Sequence, residues 1–326
     1  MSAFRVLPRT QTNTASRNKQ FPQGDNSLLI VLFLLPGMLI FFLFVLMPIS
    51  QSVYFSLYDW NGFGPPTDFV GTGNYERLLN HSVFQDSVWH SFTLMSLSLL
   101  IQLPMALGLA LLVGRGKLRG RKAFRAFLFL PYVFSEVITA IMWRYVLSPD
   151  NGALLNSVLA AVIPGYEPIG WLARTDVVLF ALFIVLTWKY FGFHMILYMA
   201  GLQNIPQDLE DAARVDGAKE RDVIRYITLP LLGSTIRLTI FLSVVGSFQQ
   251  FVLAWVLTSE GGPVNASQLI ATYLYKFGIT QFKLGYGSAV AVVLFSIALV
   301  FSILYQRFVM RQDLGTGIAP VKGGAV

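Results

Sequence analysis

Cysteine is absent from the 326 residues, and charged side chains account for only 13% of them. Without cysteine there is no disulfide, no thiol nucleophile, no thiolate-ligated zinc and no iron–sulfur cluster. Histidine is also scarce. His81, His90 and His194 are scattered with no H-x-x-x-H spacing, so no metal site is expected. A nucleotide cradle is missing as well: the Gly-rich stretch GRGKLRGRK from Gly114 lacks the second Gly and following Lys that a phosphate-binding loop needs. No nucleophile–base pairing follows from spacing, so catalysis by this chain is not expected. What is abundant is apolar surface, with 55% hydrophobic residues and 27 Phe, 13 Tyr and 6 Trp. That balance lies outside the soluble range and places the chain in a membrane.

A bilayer core of about 30 Å needs roughly 20 mostly apolar residues per helix, because each residue advances about 1.5 Å and lipid satisfies no backbone group. Six stretches meet that length: Leu28–Pro48, Val88–Val113, Ala123–Leu147, Val177–Leu202, Leu229–Leu257 and Leu284–Met310. The first is about twice as long as a signal-peptide core and no small-residue cleavage site follows, so it reads as a retained span. The expected organisation is a tail over 1–27, a six-helix membrane domain over 28–310 and a second tail over 311–326.

The formal charge of +7 would suggest nucleic acid in a soluble protein, but its distribution gives an orientation instead. Seventeen Lys and Arg fall in the two tails and in the second-to-third and fourth-to-fifth connections, against four (Arg77, Arg174, Lys276, Lys283) in the alternate connections. The positive-inside rule then puts both termini in the cytoplasm, with no nucleic-acid partner. The opposite connections are long and punctuated by Gly-Pro, Pro-Pro and Gly-Gly-Pro turns, so they are able to receive an external partner.

Ionisable groups within a span are expensive and point to function unless they are paired or snorkel to an interface. Arg144 and Arg237 lie close enough to span ends to snorkel. Glu136 and Lys189 stand about a dozen residues from either end of consecutive spans and at similar depth. Their opposite signs predict either a buried ion pair or a role in a pathway. Neutral polar stripes are further pathway candidates. Ser243, Ser247 and Gln250 share one face of the fifth span; Thr187, Tyr190 and His194 share one face of the fourth. Such groups beside aromatic rings suit the hydroxyls and apolar ring faces of sugars, or else hydrogen-bond between helices.

The connection 203–228 carries ten charges of mixed sign and still keeps a helical apolar spacing. Pro206 can start a helix, and Ile205, Leu209, Ala212 and Ala213 recur along one stripe. Gly217 breaks it; Val223, Ile224 and Ile227 begin a second stripe that runs through Leu229-Pro230 into the fifth span. The pattern predicts an amphipathic helix, a glycine corner and a second helix, either docking a partner or lying as a solvated loop on the chain's own helix ends.

The string IPQDLEDAARVDGAKERDVIRYITLPLL in this connection resembles the signature loop of permease subunits of binding-protein-dependent ABC importers. The matching positions are Ala212, Ala213, Asp216, Gly217, Ala218, Ile227, Leu229 and Pro230, with Asp211 in place of the family's leading Glu. Further similar strings are FVGTGNYERLL, FLPYVFSEVITAIMWRYVLSPDNGALLN, WKYFGFHMILYMAGLQNIP and GGPVNASQLIATYLYKFGI, so the resemblance spans about Leu28 to Arg311 and is closest to the sugar-importing branch. His90-Ser91 and Val252 depart from commoner Asn-Thr and Asp.

This resemblance implies an all-α integral membrane fold of the type I importer permease class. It implies that Asp211, Ala212, Ala213, Asp216, Gly217, Ala218, Leu229 and Pro230 couple the chain to a cytoplasmic ATPase. It further implies a second permease subunit, two ATPase copies that bind ATP and magnesium, an extracytoplasmic sugar-binding protein, and a bacterial or archaeal cytoplasmic membrane. No cofactor is expected in this chain, and the expected solute is a sugar, an oligosaccharide, with which sugar left open and polyols or glycerol phosphates as the fallback. The opposing reading is a self-sufficient ion-coupled transporter or channel using Glu136 and Lys189, against which the six spans show no inverted repeat.

Overall fold

A computed structural model of the chain describes residues 27–115, 120–150 and 153–310. The expected tails and part of the basic second-to-third connection therefore lie outside the described residues. Residues up to Ser50 form one unit and those from Gln51 onward another. The first unit is helix α1, which runs Ser27–Phe41, through a π-helical segment Phe42–Leu46, and on across the unit boundary as Met47–Phe55. Its side chains from Ile30 to Pro48 are exposed and almost all apolar, which suits a surface turned toward lipid or another apolar chain.

The second unit is built from helices, and its described residues hold one isolated β-bridge, Tyr58–Phe69. Helix α2 (Gly73–Leu79) precedes the long α3, which runs Ser82–Leu97, a π-helical Ser98–Gln102 and Leu103–Arg115. Then come α4 (Arg121–Val133), α5 (Glu136–Val146), α6 (Leu154–Val162) and α7 (Val178–Gln203). Helix α8 (Gln207–Val215) leads to α9, formed by Glu220–Val223, Ile224–Thr228 and Leu229–Leu231. Helices α10 (Gly233–Gln249), α11 (Val252–Leu257), α12 (Ile270–Tyr273 with Leu274–Ile279) and α13 (Leu284–Tyr305 with Gln306–Met310) complete the chain.

Four unbroken helices, Ile30–Phe55, Ser82–Gly114, Val178–Gln203 and Leu284–Met310, are long and apolar enough to cross a membrane. The expected third and fifth spans are not straight. Lys122–Val133 and Glu136–Val146 meet at 98°, and Glu220–Leu231 and Gly233–Gln249 meet at 67°, so the total reaches six if each bent pair is one span. Proline explains part of this: Pro131 and Pro230 each remove a helical donor close to the break. At the first break Phe134 and Ser135 are extended, with ψ of 146° and 144°.

Helix α7 is the axis of the packing. One cluster joins its Ala181, Leu182 and Val185 to Leu94, Ala140, Leu253 and Leu257; a second joins Met195, Tyr198 and Leu202 to Ala106, Ala110 and Leu232. A third gathers Leu78, Phe84, Val244, Phe248, Ile270, Tyr273 and Val290. Close approach of α4 to α7 depends on Gly192, where a Cβ would lie 2.2 Å from the Leu128 carbonyl oxygen.

Within the connection between α5 and α7, one buried side chain gathers several hydrogen bonds. Buried Asn156 donates through Nδ2 to the carbonyls of Ser148 and Ile169, both at 3.1 Å, and its Oδ1 accepts from Tyr166 Oη and Trp171 Nε1, both at 2.9 Å. At about 1 kcal/mol net per hydrogen bond, with buried polar atoms left unpaired, Asn156→Ala is expected to loosen this connection by roughly 2–4 kcal/mol. Limited proteolysis should then cut within 148–171 much faster than in wild type while α7 stays protected.

Candidate functional site

Two places in the second unit bring the predicted residues together. The first is a cavity of about 340 Å³ bounded by α3, α4, α5, α7 and α10. It lies where two helical runs stop, the Phe134–Ser135 break before α5 and the turn at Gln250–Phe251 that ends α10, with ψ of 115° at Gln250. Irregular backbone is tolerated at membrane depth where it is buried in protein or lines a cavity.

Tyr190, His194, Ser243, Ser247 and Gln250, drawn from the two polar stripes, all line this cavity. Thr187 does not. The α7 face turned to the cavity carries Phe183, Leu186, Tyr190, Phe193 and His194, and Thr187 stands beside that stripe with its hydroxyl buried and without a partner. Both readings of Ser243 hold at once, since it lines the cavity and its Oγ lies 2.8 Å from Ser98 Oγ on α3. Ser98 in turn donates to Gln102 Oε1, and both residues line the cavity. The sequence reading missed them, although their i, i+4 spacing across the apolar Leu99, Leu100 and Ile101 was a visible signal. Tyr132, also missed, stacks on Phe193 with ring centroids 4.8 Å apart. His194 Nδ1, beside the cavity, has no hydrogen-bond partner among the described residues.

The predicted ion pair between Glu136 and Lys189 does not form; among the described residues no salt bridge joins them. Each is used by the helix break. Interrupting the helix frees the Phe134 carbonyl from its intrahelical donor, and buried Lys189 Nζ donates to it at 2.6 Å. Glu136 opens α5, where the positive end of the helix favours a carboxylate, and accepts from Tyr190 Oη at 2.5 Å. Lys189 therefore braces backbone, whereas Glu136 reaches the cavity.

The second place is the charged connection. Helix α8 ends as predicted at Gly217, whose φ is +87°. Gly217 N donates to Arg214 O at 3.1 Å and Ala218 N to Ala213 O at 3.0 Å, the paired bonds of a left-handed helix cap. Asp211 pairs with Arg214 at 2.7 Å, and Arg214 also binds Glu220 at 3.0 Å across the corner. The Glu220 carboxylate, then Asp211, holds the Arg214 guanidinium above its ordinary range. Asp216 caps the helix and is exposed; Leu229 and Pro230 continue α9 toward α10.

The facing of α8 is the reverse of what an amphipathic pattern implies for a loop lying on its own protein. Its acidic Glu210 is turned inward, 3% exposed, and accepts from Thr228 Oγ1 at 2.7 Å, while Leu209 is 47% exposed and Val215 87%. Ala212 and Tyr226 are exposed as well. The polar contact anchors the helix and leaves Leu209 and Val215 outward. Glu210, Arg214 and Thr228 were not singled out from sequence.

Comparison with known proteins places these features in one family. Residues 106–313 match the model of the "Binding-protein-dependent transport system inner membrane component". The chain is 32% identical to the probable ABC transporter permease protein YurN of Bacillus subtilis (strain 168) over 286 residues, covering 87% of this chain and 97% of YurN. It is 34% identical to the lactose transport system permease protein LacF of Rhizobium radiobacter, covering 86% and 93%. To the Thermococcus litoralis trehalose/maltose transport system permease protein MalF it is 32% identical, covering 85% and 92%. Among solved structures, a chain of a bacterial ABC transporter that imports the acidic polysaccharide alginate aligns with a TM-score of 0.73 at 26% identity, covering 87% of this chain and 97% of that one. The same kind of transporter bound to its alginate pentasaccharide-loaded periplasmic protein gives 0.74, also at 26%, with 88% and 96% covered. The charged loop, the broken apolar helices and these likenesses agree, and the chain belongs to the binding-protein-dependent transport system inner membrane component family, the membrane-embedded permeases of ABC importers.

Proposed function

We propose that this chain is one of two permease subunits of an ATP-driven oligosaccharide importer and forms half of its translocation pathway. The observation that carries the reading is the cavity at the two helix breaks, where Tyr190, His194, Ser243, Ser247, Gln250 and Glu136 stand beside Tyr132 and Phe193. Hydroxyl, amide and carboxylate groups next to aromatic faces match the hydroxyls and ring faces of a saccharide. Similarity to lactose, trehalose/maltose and alginate systems supports the same substrate class. An ion-coupled mechanism finds less support, because Lys189 is committed to the Phe134 carbonyl.

In this reading the connection 203–228 docks on a cytoplasmic ATPase through outward Leu209, Ala212 and Val215, and the long opposite connections receive a loaded binding protein. Two ATPase subunits hold ATP and magnesium, and all six apolar stretches cross a cytoplasmic membrane with both termini inside. Co-purification of the chain with its neighbours, followed by ATP hydrolysis assays with the binding protein loaded with different carbohydrates, tests it. Stimulation by a polyol or glycerol phosphate alone would reject the oligosaccharide assignment.

Gly217 offers a sharper check on the docking. A Cβ there meets nothing within 4 Å, so the main cost is the left-handed backbone, about 1–2 kcal/mol for Leu and little for Asn. Gly217→Leu is expected to reduce uptake and stimulated ATP hydrolysis together, with Gly217→Asn close to wild type. Full activity of the Leu variant would count against docking through this corner.

A further inference from the structure

Four Lys and Arg lie in the connections opposite the charged loop, and two of them are engaged locally. Arg174 pairs with Asp176 at 2.6 Å, and Lys276 Nζ donates to Glu260 O and Asn265 Oδ1, each at 3.1 Å. The other two, Arg77 and Lys283, come from opposite ends of the unit to the wall of one cavity of about 330 Å³. No carboxylate lines it. Asp59 lies 3.3 Å from Arg77, but both side chains are half exposed and such a pair is weak. Lys283 makes no ion pair among the described residues.

The wall is a constructed one. Tyr273 is fully buried, its hydroxyl lies 2.7 Å from His81 Nδ1 and 2.5 Å from Tyr286 Oη, and its ring stacks on Phe277 at 4.5 Å. Lys283 caps the N-terminus of α13 and Tyr286 stands in its first turn, where a long apolar run begins; the ends of such runs are where headgroups meet hydrocarbon. Leu79 and Phe282, chain neighbours of lining residues, and Ile279, between Phe277 and Gln281, are exposed and apolar. A cationic pocket with exposed apolar residues nearby in sequence matches a molecule with an anionic head and an acyl tail.

We propose that this cavity binds the phosphate-ester headgroup of an anionic phospholipid, with Arg77 and Lys283 as its counter-charges and the acyl chains lying along Leu79, Ile279 and Phe282. The guanidinium offers forked donors to phosphate oxygens and the ammonium adds a point charge. The orientation rule keeps cations rare on this side of the membrane, and the headgroup gives a reason for two in one cavity. This assignment needs α13 to enter lipid at Lys283 and does not depend on the transported solute.

The test uses the complete transporter purified with its partner subunits and titrated with phosphatidylglycerol or phosphatidylcholine, bound lipid being read by native mass spectrometry. The wild type is expected to prefer phosphatidylglycerol about tenfold, and the double variant Arg77→Gln/Lys283→Gln to lose that preference. Arg77→Lys/Lys283→Arg retains both charges and should retain most of it. Equal binding of the two lipids by wild type, or a preference that survives the Gln pair, overturns the proposal. So does loss of preference in the charge-retaining pair, which would point to folding instead of charge. Competition by millimolar inorganic phosphate in place of lipid would reassign the site to a free anion. An unchanged lipid preference with weakened binding-protein stimulation in the Gln pair would reassign it to an acidic side chain of that protein.

Discussion

Gly192→Val is expected to abolish transport and to lower the thermal stability of the purified subunit. A Cβ at this position would lie 2.2 Å from the Leu128 carbonyl oxygen, 3.0 Å from its carbon and 3.1 Å from Phe129 Cα. All three atoms are backbone, so relief requires α4 to move as a body. Overpacking of this kind costs typically 1–3 kcal/mol and occasionally more. Movement of α4 would also carry Tyr132 and the Phe134 carbonyl away from Phe193 and Lys189, opening the break beside the cavity. Gly108→Ala on α3 is the control, because a Cβ there meets nothing within 4 Å. The comparison is a melting curve and an uptake assay for each variant; a Gly192→Val protein with wild-type melting and uptake would disprove the tight α4–α7 contact.

The second large effect is expected at Glu210. Glu210→Ala removes the acceptor of the Thr228 hydroxyl and leaves that buried group unpaired, at a cost of about 1–3 kcal/mol. Arg214 keeps Asp211 and Glu220, so the corner itself should persist. What is lost is the tie between α8 and the helix that leads into the fifth apolar stretch. Uptake should fall about tenfold or more while basal ATP hydrolysis by the assembled complex remains, since roughly 1.4 kcal/mol in a coupling equilibrium is a factor of ten. Thr228→Val breaks the same bond from the other side, and the double variant should be little worse than the poorer single one. Additive losses would show that the two residues act separately.

Much of this was legible without coordinates because it depends on neighbours within a turn or two of helix. The glycine corner at 217 is a local property: a stripe ends, a residue without Cβ follows, and the chain turns. The face shared by Tyr190 and His194 is likewise a consequence of helical period. Thr187 failed because a stripe read by spacing has an uncertain edge, and packing of α7 against α5 and α11 decides which edge faces the cavity. Glu136 and Lys189 failed as a pair for a different reason. Equal depth and opposite sign assume intact helices, and the break supplied a carbonyl that competed for the lysine.

By itself the sequence determined that the chain belongs in a membrane, since 55% hydrophobic side chains in stretches of about 20 residues leave no soluble alternative. It also determined the bias of cations to one set of connections and the family signature loop between Ala212 and Pro230. Only the tertiary structure decided that two apolar stretches bend, by 98° and 67°, and that a cavity forms where helical runs stop. Tertiary contact also turned Glu210 inward and left Leu209 and Val215 outside. The reason is distance along the chain. Lys189 meets Phe134 and Tyr190 meets Glu136 across 55 and 54 residues, and Glu210 meets Thr228 across 18. Local periodicity has no access to partners that far away, and each of these bonds is chosen by which backbone or side-chain group the packed helices leave unsatisfied.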